Sequence, residues 1–169
     1  MRKVTYGAAC SLDGYIARPG GEVDWLRWSD DVHRLTVEYW AGVDTLVMGR
    51  KTYEVAGGGY PGVENYVFSR TLAEDPEPGV RLVRGDPAAF VRELKGREGG
   101  EICVMGGGEL AQALFEADLI DEVGMNVHPV LLGSGIPLFR PLARQVELEL
   151  IRHEPLQHGC LYALYRVVR

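Results

Sequence analysis

Four apolar residues, Ile102-Cys103-Val104-Met105, run straight into Gly106-Gly107-Gly108, and a helical stretch from Glu109 to about Glu116 follows at once. This order reads as a buried strand, a turn without side chains and a helix start. Such a turn lets a ligand approach bare backbone while the helix N-terminus points free N–H groups at it, a geometry that suits a pyrophosphate. It equally serves as a tight strand-to-helix turn that needs glycine only for its dihedral angles. A short glycine cluster alone does not separate the two readings.

A second junction has the same form. Thr45-Leu46-Val47-Met48 is a short apolar strand that ends at Gly49, and Arg50-Lys51-Thr52 opens a helix. Around the two junctions the chain alternates. Strands are expected at Val4–Cys10, Asn65–Phe68 and Val80–Val83, and helices from Ser29 or Asp30 to about Ala41 and from Asp86 or Pro87 to about Lys95. A long strand is expected over Asp121–Leu132, interrupted by Pro129. Val146–His153 and Cys160–Val168 read as a closing hairpin. The alternation predicts an α/β fold with a mostly parallel central sheet and a C-terminal antiparallel hairpin. The continuous apolar runs at 46–48 and 102–105 are those of strands covered on both faces. With 169 residues and no linker or repeat, the expectation is one domain.

Charge and composition narrow the partners. The net charge is −6 with no Lys/Arg block, which argues against nucleic acid as the main partner. No apolar run approaches the ~20 residues of a membrane span, and the N-terminus has no signal-peptide pattern, so a cytoplasmic protein is expected. Cys10, Cys103 and Cys160 lie in separate apolar segments and read as buried free thiols. The four histidines have no partner at metal-ligand spacing, and no metal is expected.

In an open parallel sheet, ligands bind beyond the carboxyl ends of the strands. Two glycine junctions at that edge would each hold part of one diphosphate. Arg50, Lys51 and the Thr52 hydroxyl belong to the first, and Ser69-Arg70 ends the next strand. The chain has no G-x-G-x-x-G after its first strand and no strand-end acid placed for a ribose hydroxyl. A basic set in that place points to a 2′-phosphate, hence NADP rather than NAD. Solvated cations beside a helix cap would look the same.

Ala8-Ala9-Cys10-Ser11-Leu12-Asp13-Gly14-Tyr15-Ile16-Ala17, Val47-Met48-Gly49-Arg50-Lys51-Thr52 and Val104-Met105-Gly106-Gly107-Gly108 stand in the order and spacing of the dihydrofolate-reductase-like fold. With Ser11–Ala17 and His128–Phe139, the chain more closely resembles the riboflavin-biosynthesis branch, the reductase domain of the bifunctional deaminase–reductase. The resemblance covers essentially the whole chain. It implies a three-layer α/β/α domain, NADPH as hydride donor and a homodimer. It matches Ala9 and Ile16 to the nicotinamide pocket, and Gly49, Arg50, Lys51 and Thr52 to the adenosine-side phosphate loop. Ser69 and Arg70 match the 2′-phosphate clamp. Gly106, Gly107 and Gly108, with Glu109 opening the helix, match the pyrophosphate turn. It also implies a cis peptide bond between Gly106 and Gly107.

The substrate side is less defined. Folate reductases carry a carboxylate at the start of the first helix. Counted from Trp25 that position is Asp30; counted back from Gly49 it is His33. Asp30 is also an ordinary first-turn acid. In the riboflavin branch the Ser-Leu-Asp-Gly turn borders the active site, which makes Asp13 a second candidate. Trp25 and Trp28 flank a loop and could close over a ring, or serve equally as core or surface aromatics. His128, before Pro129, reads as a satisfied strand histidine. The expected activity is hydride transfer to a small heterocycle or ribosylamino-pyrimidine. The alternatives are a true dihydrofolate reductase and an NADP-binding protein without turnover. The zinc-deaminase motifs H-x-E and P-C-x-x-C are absent. Leu148, Leu150, Leu161 and Ala163 of the hairpin could serve a dimer seam or an ordinary core.

Overall fold

In the computed structural model, which describes all residues Met1–Arg169, eight strands form one sheet in the order β5-β4-β3-β6-β1-β7-β10-β9. β1 (Val4–Ser11), β3 (Val43–Gly49), β4 (Glu64–Phe68), β5 (Val80–Val83), β6 (Glu101–Met105) and β7 (Glu122–His128) pair in parallel. β9 (Leu148–Pro155) and β10 (Leu161–Val167) close the far side as an antiparallel hairpin. Four helices complete the fold: α1 (Asp30–Trp40), α2 (Arg50–Ala56), α3 (Pro87–Gly96) and α4 (Gly108–Glu116). The expected α/β class and closing hairpin are therefore present. Two short strands escape the sequence pattern. β2 (Tyr15–Ala17) pairs with β8 (Ile136–Pro137) in a separate small sheet. A pairing of so few residues leaves no periodic signal. The strand expected over 121–132 ends at His128, because Pro129 has no N–H for the ladder.

The helices form layers on both faces. Val4 and Tyr6 of β1 and Ile102 and Val104 of β6 pack with Val91 and Leu94 of α3 and with Leu110, Leu114 and Phe115 of α4. On the other face, Leu46, Met48, Val67 and Cys103 meet Tyr39 and Trp40 of α1 and Tyr53 of α2. Strand residues alternate between these cores because successive side chains point to opposite faces. The helix starts follow their caps. Ser29 accepts the Val32 N–H before α1, and Asp86 accepts from Ala88 and Ala89 before α3, with Pro87 in its first turn.

The hairpin resolves the question left open for its apolar residues. Ala163 is buried, whereas Leu148, Leu150, Ile151 and Leu161 are each at least 40% exposed. β9 is thus an outer edge strand with an apolar rim.

Lys95 is, with Arg2, one of two buried cations of the fold, 6% exposed. It ends α3 and pairs with Asp121, which also accepts the Val4 N–H (2.8 Å) and a hydrogen bond from Arg169 (2.9 Å). One carboxylate thereby ties the entrances of β1 and β7 to a helix and the C-terminus. Burial works to raise the Asp121 carboxyl, but the hydrogen bonds from Lys95, Val4 and Arg169 outweigh it and hold the pKa below the ordinary value. A depressed folded-state pKa contributes stability above the unfolded-state value of about 4, and that contribution is lost as the pH falls through the folded value. Asp121→Asn should destabilise the domain by about 3 kcal/mol at neutral pH, since it strands a buried ammonium. The variant should also lose part of the acid-side slope in urea unfolding measured as a function of pH.

Candidate active site

β3 and β6 are neighbours, and their exits diverge. From β3 the chain passes through α2 to β4 on one side; from β6 it passes through α4 to β7 on the other, across β1. A crevice opens between carboxyl ends where connections part in this way. The two glycine junctions meet there. Met48 pairs with Met105 at the end of the ladder. A Cβ added at Gly106 would lie 2.7 Å from the Thr52 hydroxyl, and one at Gly107 would lie 3.9 Å from the Gly49 nitrogen. Gly106 and Gly107 both have positive φ, 55° and 68°, which L side chains adopt only at a cost. The peptide between them, expected to be cis, is trans. The turn is made instead by the two successive left-handed glycines. Gly107 caps α4 without a side chain, so the first-turn N–H groups of this nine-residue helix are left free of a side-chain cap.

The cations expected near the crevice occupy its β3–β4 side. Arg50 and Lys51 open α2, and Arg70 follows β4, which pairs with β3. Arg50 forms an i,i+4 ion pair with Glu54 (2.9 Å). Lys51 and Arg70 are exposed. The Ser69 hydroxyl accepts the Thr71 and Leu72 N–H groups (3.2 and 3.1 Å) and shapes the turn that carries Arg70. Glu109 is exposed and pairs with Arg140 (2.9 Å). Arg140 went unnoticed in the sequence. It comes from the loop after β8 and packs beside Gly108, a neighbourhood that no local pattern announces.

Next to this crevice, under α1, lies a cavity of about 290 Å³. Its floor is Thr5, Gly7 and Ala9 of β1, with Cys103 and Met105 of β6 and Gly124, Asn126 and His128 of β7. Val32, Leu35, Thr36, Tyr39 and Trp40 of α1 roof it, and Leu26, Arg27 and Trp28 edge it. Of the two residues matched to the nicotinamide pocket, Ala9 lines the cavity, while Ile16 packs at the margin of the main core. Trp25 is buried and Trp28 is 71% exposed at the edge. Their loop is pinned: the Arg27 N–H donates to His128 Nδ1 (3.2 Å) and the Arg27 guanidinium to the His158 carbonyl (2.8 Å).

No carboxylate lines the cavity, and Arg27 is its one charged residue. Asp30 begins α1 with its side chain exposed, and His33 is exposed as well; the cavity face of the helix carries Val32, Leu35 and Thr36 instead. Asp13 is also outside. It accepts from the Ser11 hydroxyl (2.6 Å) and from the Leu132 and Gly133 N–H groups (3.1 and 2.8 Å). The Ser11 hydrogen bond, helped by the Gly133 and Leu132 N–H groups and opposed by desolvation, holds its carboxyl below the ordinary value. Asp13 is thus a clamp between two loops, and the structure brings neither proposed acid into the cavity.

Apart from Arg27 at the edge, the polar groups that line it are neutral. Thr5 Oγ1, Tyr39 Oη and Asn126 Oδ1 are buried and have no hydrogen-bond partner. Each such group costs roughly 1–3 kcal/mol if it stays unpaired, so their gathering at one cavity is what a polar ligand would satisfy. Burial pushes the Cys103 thiol up to about 12 and raises the Tyr39 phenol well above its ordinary value, with Cys103 beside it adding to the shift. Burial, with the Arg27 charge, lowers His128. Sequence reasoning missed Thr5, Tyr39 and Asn126 as site residues. The available signal was Gly124-x-Asn126-x-His128, three non-aliphatic residues on one face of an otherwise apolar strand.

Residues 2–162 match the family model of the RibD C-terminal domain. The Bacillus subtilis (strain 168) protein YwjB is 36% identical over 155 residues, which span 88% of this chain and 89% of its own length. A putative riboflavin biosynthesis protein from Shewanella sp. PV-4 superposes with a TM-score of 0.86 at 30% identity, covering 99% of both chains. Dihydrofolate reductase from Enterococcus faecalis, solved with NADP(H), gives 0.75 at 19% identity over 99% of this chain and 97% of its own; at that identity the likeness concerns the fold.

Close packing at the junction makes a direct test. Gly106→Ala should cost about 1–2 kcal/mol from the backbone conformation alone, plus the clash with Thr52. Part of that loss should return in the Gly106→Ala/Thr52→Ser double variant, where the Thr52 methyl is gone. Chemical denaturation of the four members of the cycle measures the coupling.

Proposed function

We propose that this chain, which belongs to the RibD C-terminal domain family, is an NADPH-dependent reductase that adds hydride to a C=N or C=O carbon of a small heterocycle or ribosylamino-pyrimidine. The observation that carries the reading is the contact of the two glycine junctions beside a cavity floored by β1. The residues present fit a dinucleotide. The bare turn at Gly106-Gly107 and the uncapped start of α4 suit its diphosphate. Arg50, Lys51 and Arg70, with Thr52 and Ser69, suit an adenosine-side phosphate. The nicotinamide, when bound, supplies the hydride from its C4 carbon. The E. faecalis enzyme of the same fold was solved with NADP(H).

The chain's own work is positional. Gly7 and Ala9 leave room for a flat ring against β1, and α1 with Trp28 keeps bulk water from the reacting carbons. Reduction of C=N or C=O consumes one hydride and one proton. With Asp13 and Asp30 outside the cavity, and with the Tyr39 and Cys103 protons tightly held, the proton is drawn from water at the edge formed by Arg27 and Trp28. The same neutrality disfavours a true dihydrofolate reductase, which needs a carboxylate against the pterin. Methotrexate should therefore bind weakly. The homodimer belongs to this reading, with Leu148, Leu150, Ile151 and Leu161 as its seam, in a cytoplasmic enzyme.

NADPH should raise the melting temperature more than NADH does. Arg50→Ala and Arg70→Ala should each weaken NADPH by about tenfold, the scale of one charged hydrogen bond, and leave NADH nearly unchanged. Equal losses for both cofactors would remove the 2′-phosphate contact. NADPH oxidation against a panel holding dihydrofolate and the riboflavin-pathway ribosylamino-pyrimidine should proceed with the second. Oxidation with neither, despite NADPH binding, would favour a binding protein without turnover. Leu150→Glu should turn the dimer into a monomer in light scattering.

A further inference from the structure

Among the groups that line the cavity, His128 has no task in the reaction above, yet its imidazole is fixed by a main-chain N–H, a thiol and a tryptophan ring. It ends β7, is 1% exposed and pairs in register with Ser11 of β1. The Trp25 ring stands across it at 5.4 Å and 89°. Both hydrogen bonds of the imidazole are made at Nδ1: the Arg27 backbone N–H at 3.2 Å and the Cys160 thiol at 3.5 Å. A backbone N–H can only donate, so Nδ1 accepts, and the hydrogen of the neutral ring sits on Nε2.

We propose that His128 is a specificity-determining residue whose Nε2–H, fixed by the Arg27 main chain, is donated to a carbonyl or ring-nitrogen acceptor of the substrate. This rests on the reading of the cavity as the substrate half of the site. Asn126, two residues earlier on the same face of β7, carries an unpartnered Oδ1 acceptor. The strand thus presents an acceptor and a donor about 7 Å apart, close to the span of one six-membered ring with its exocyclic atoms. A neutral imidazole polarises the acceptor it touches and keeps its own proton. An uncharged ring that offers N–H to Asn126 and an acceptor to His128 satisfies both groups. A protonated ring with donors on both edges leaves His128 facing a donor, with no carboxylate to receive the charge.

The test uses uracil and 2,4-diaminopyrimidine as probes, with NADP⁺ present and histidine and methionine isotopically labelled. His128 should show the Nε2–H tautomer at neutral pH. Uracil should move the Nε2–H and Met105 methyl signals together, and 2,4-diaminopyrimidine should bind at least about tenfold more weakly, the loss expected for an unpaired buried donor. An Nδ1–H tautomer, or a Met105 shift with an unmoved Nε2–H, would overturn the assignment. If neither signal moves with either probe, the reading of the cavity falls first and this assignment with it. His128→Gln keeps a neutral N–H donor and should bind uracil within about threefold of the unaltered protein, whereas His128→Leu should lose about tenfold. Equal losses in two folded variants would overturn the role. Should the Leu variant fail to fold, the spectra of the unaltered protein decide.

Discussion

The Thr52 hydroxyl and the backbone of Gly106 approach so closely that not even one methyl group fits between them. That contact fuses two separate strand–helix junctions into one crevice, and the rest of the site is arranged around it. It is possible because β3 and β6 pair in parallel and end together at Met48 and Met105. The helices they feed then leave on opposite faces of the sheet, so two sets of main-chain donors can converge on one ligand from different sides. The cations of α2 and of the turn after β4 extend the same edge outward, toward solvent, where a phosphate is easily desolvated in part and paired.

The cavity on the inner side of the crevice works by the opposite electrostatics. It is uncharged except at its edge, walled by aromatic and aliphatic residues, and furnished with side chains that are polar but neutral. In such surroundings the protonation states are set by burial. Cys103 and Tyr39 keep their protons and His128 stays free of a second one. A charged ligand group placed there would lose its hydration without gaining a counter-charge. A cationic region and a neutral, ring-walled region thus adjoin at one edge, and the loop 25–28 that borders the second is anchored to His128 and His158.

Much of the glycine crevice was legible in the chain, because it is built from contiguous residues. Ile102–Glu109 and Val47–Thr52 each contain a strand, a turn and a helix start, and the same local pattern that dictates the backbone also creates the donors. Ser29 and Asp86 announced their helices by the chemistry of capping, and the outcome followed them. The neighbouring cavity was not legible in this way. Thr5, Tyr39, Asn126 and His128 come from two strands and one helix far apart in sequence, and only the Gly124-x-Asn126-x-His128 face of β7 left a local signal. Asp13 and Asp30 were candidates because the resemblance sets a carboxylate at the turn after the first strand and at the start of the first helix. One is consumed by backbone N–H groups of a loop more than a hundred residues away, and the other falls on the solvent side of its helix.

Periodicity and glycine placement alone determined the α/β class, the parallel centre with its antiparallel hairpin and the two anion-friendly turns, since these depend on interactions within a few residues. Tertiary structure decided that the turns touch, that the turn at Gly106-Gly107 uses two left-handed glycines joined by a trans bond, and that the apolar residues of β9 face outward. It also decided that the cavity holds no carboxylate. Strand register and the meeting of distant segments govern those outcomes: a shift of one residue moves every strand side chain to the other face, whereas the apolar spacing of Val32, Leu35 and Tyr39 already marks the inward side of α1.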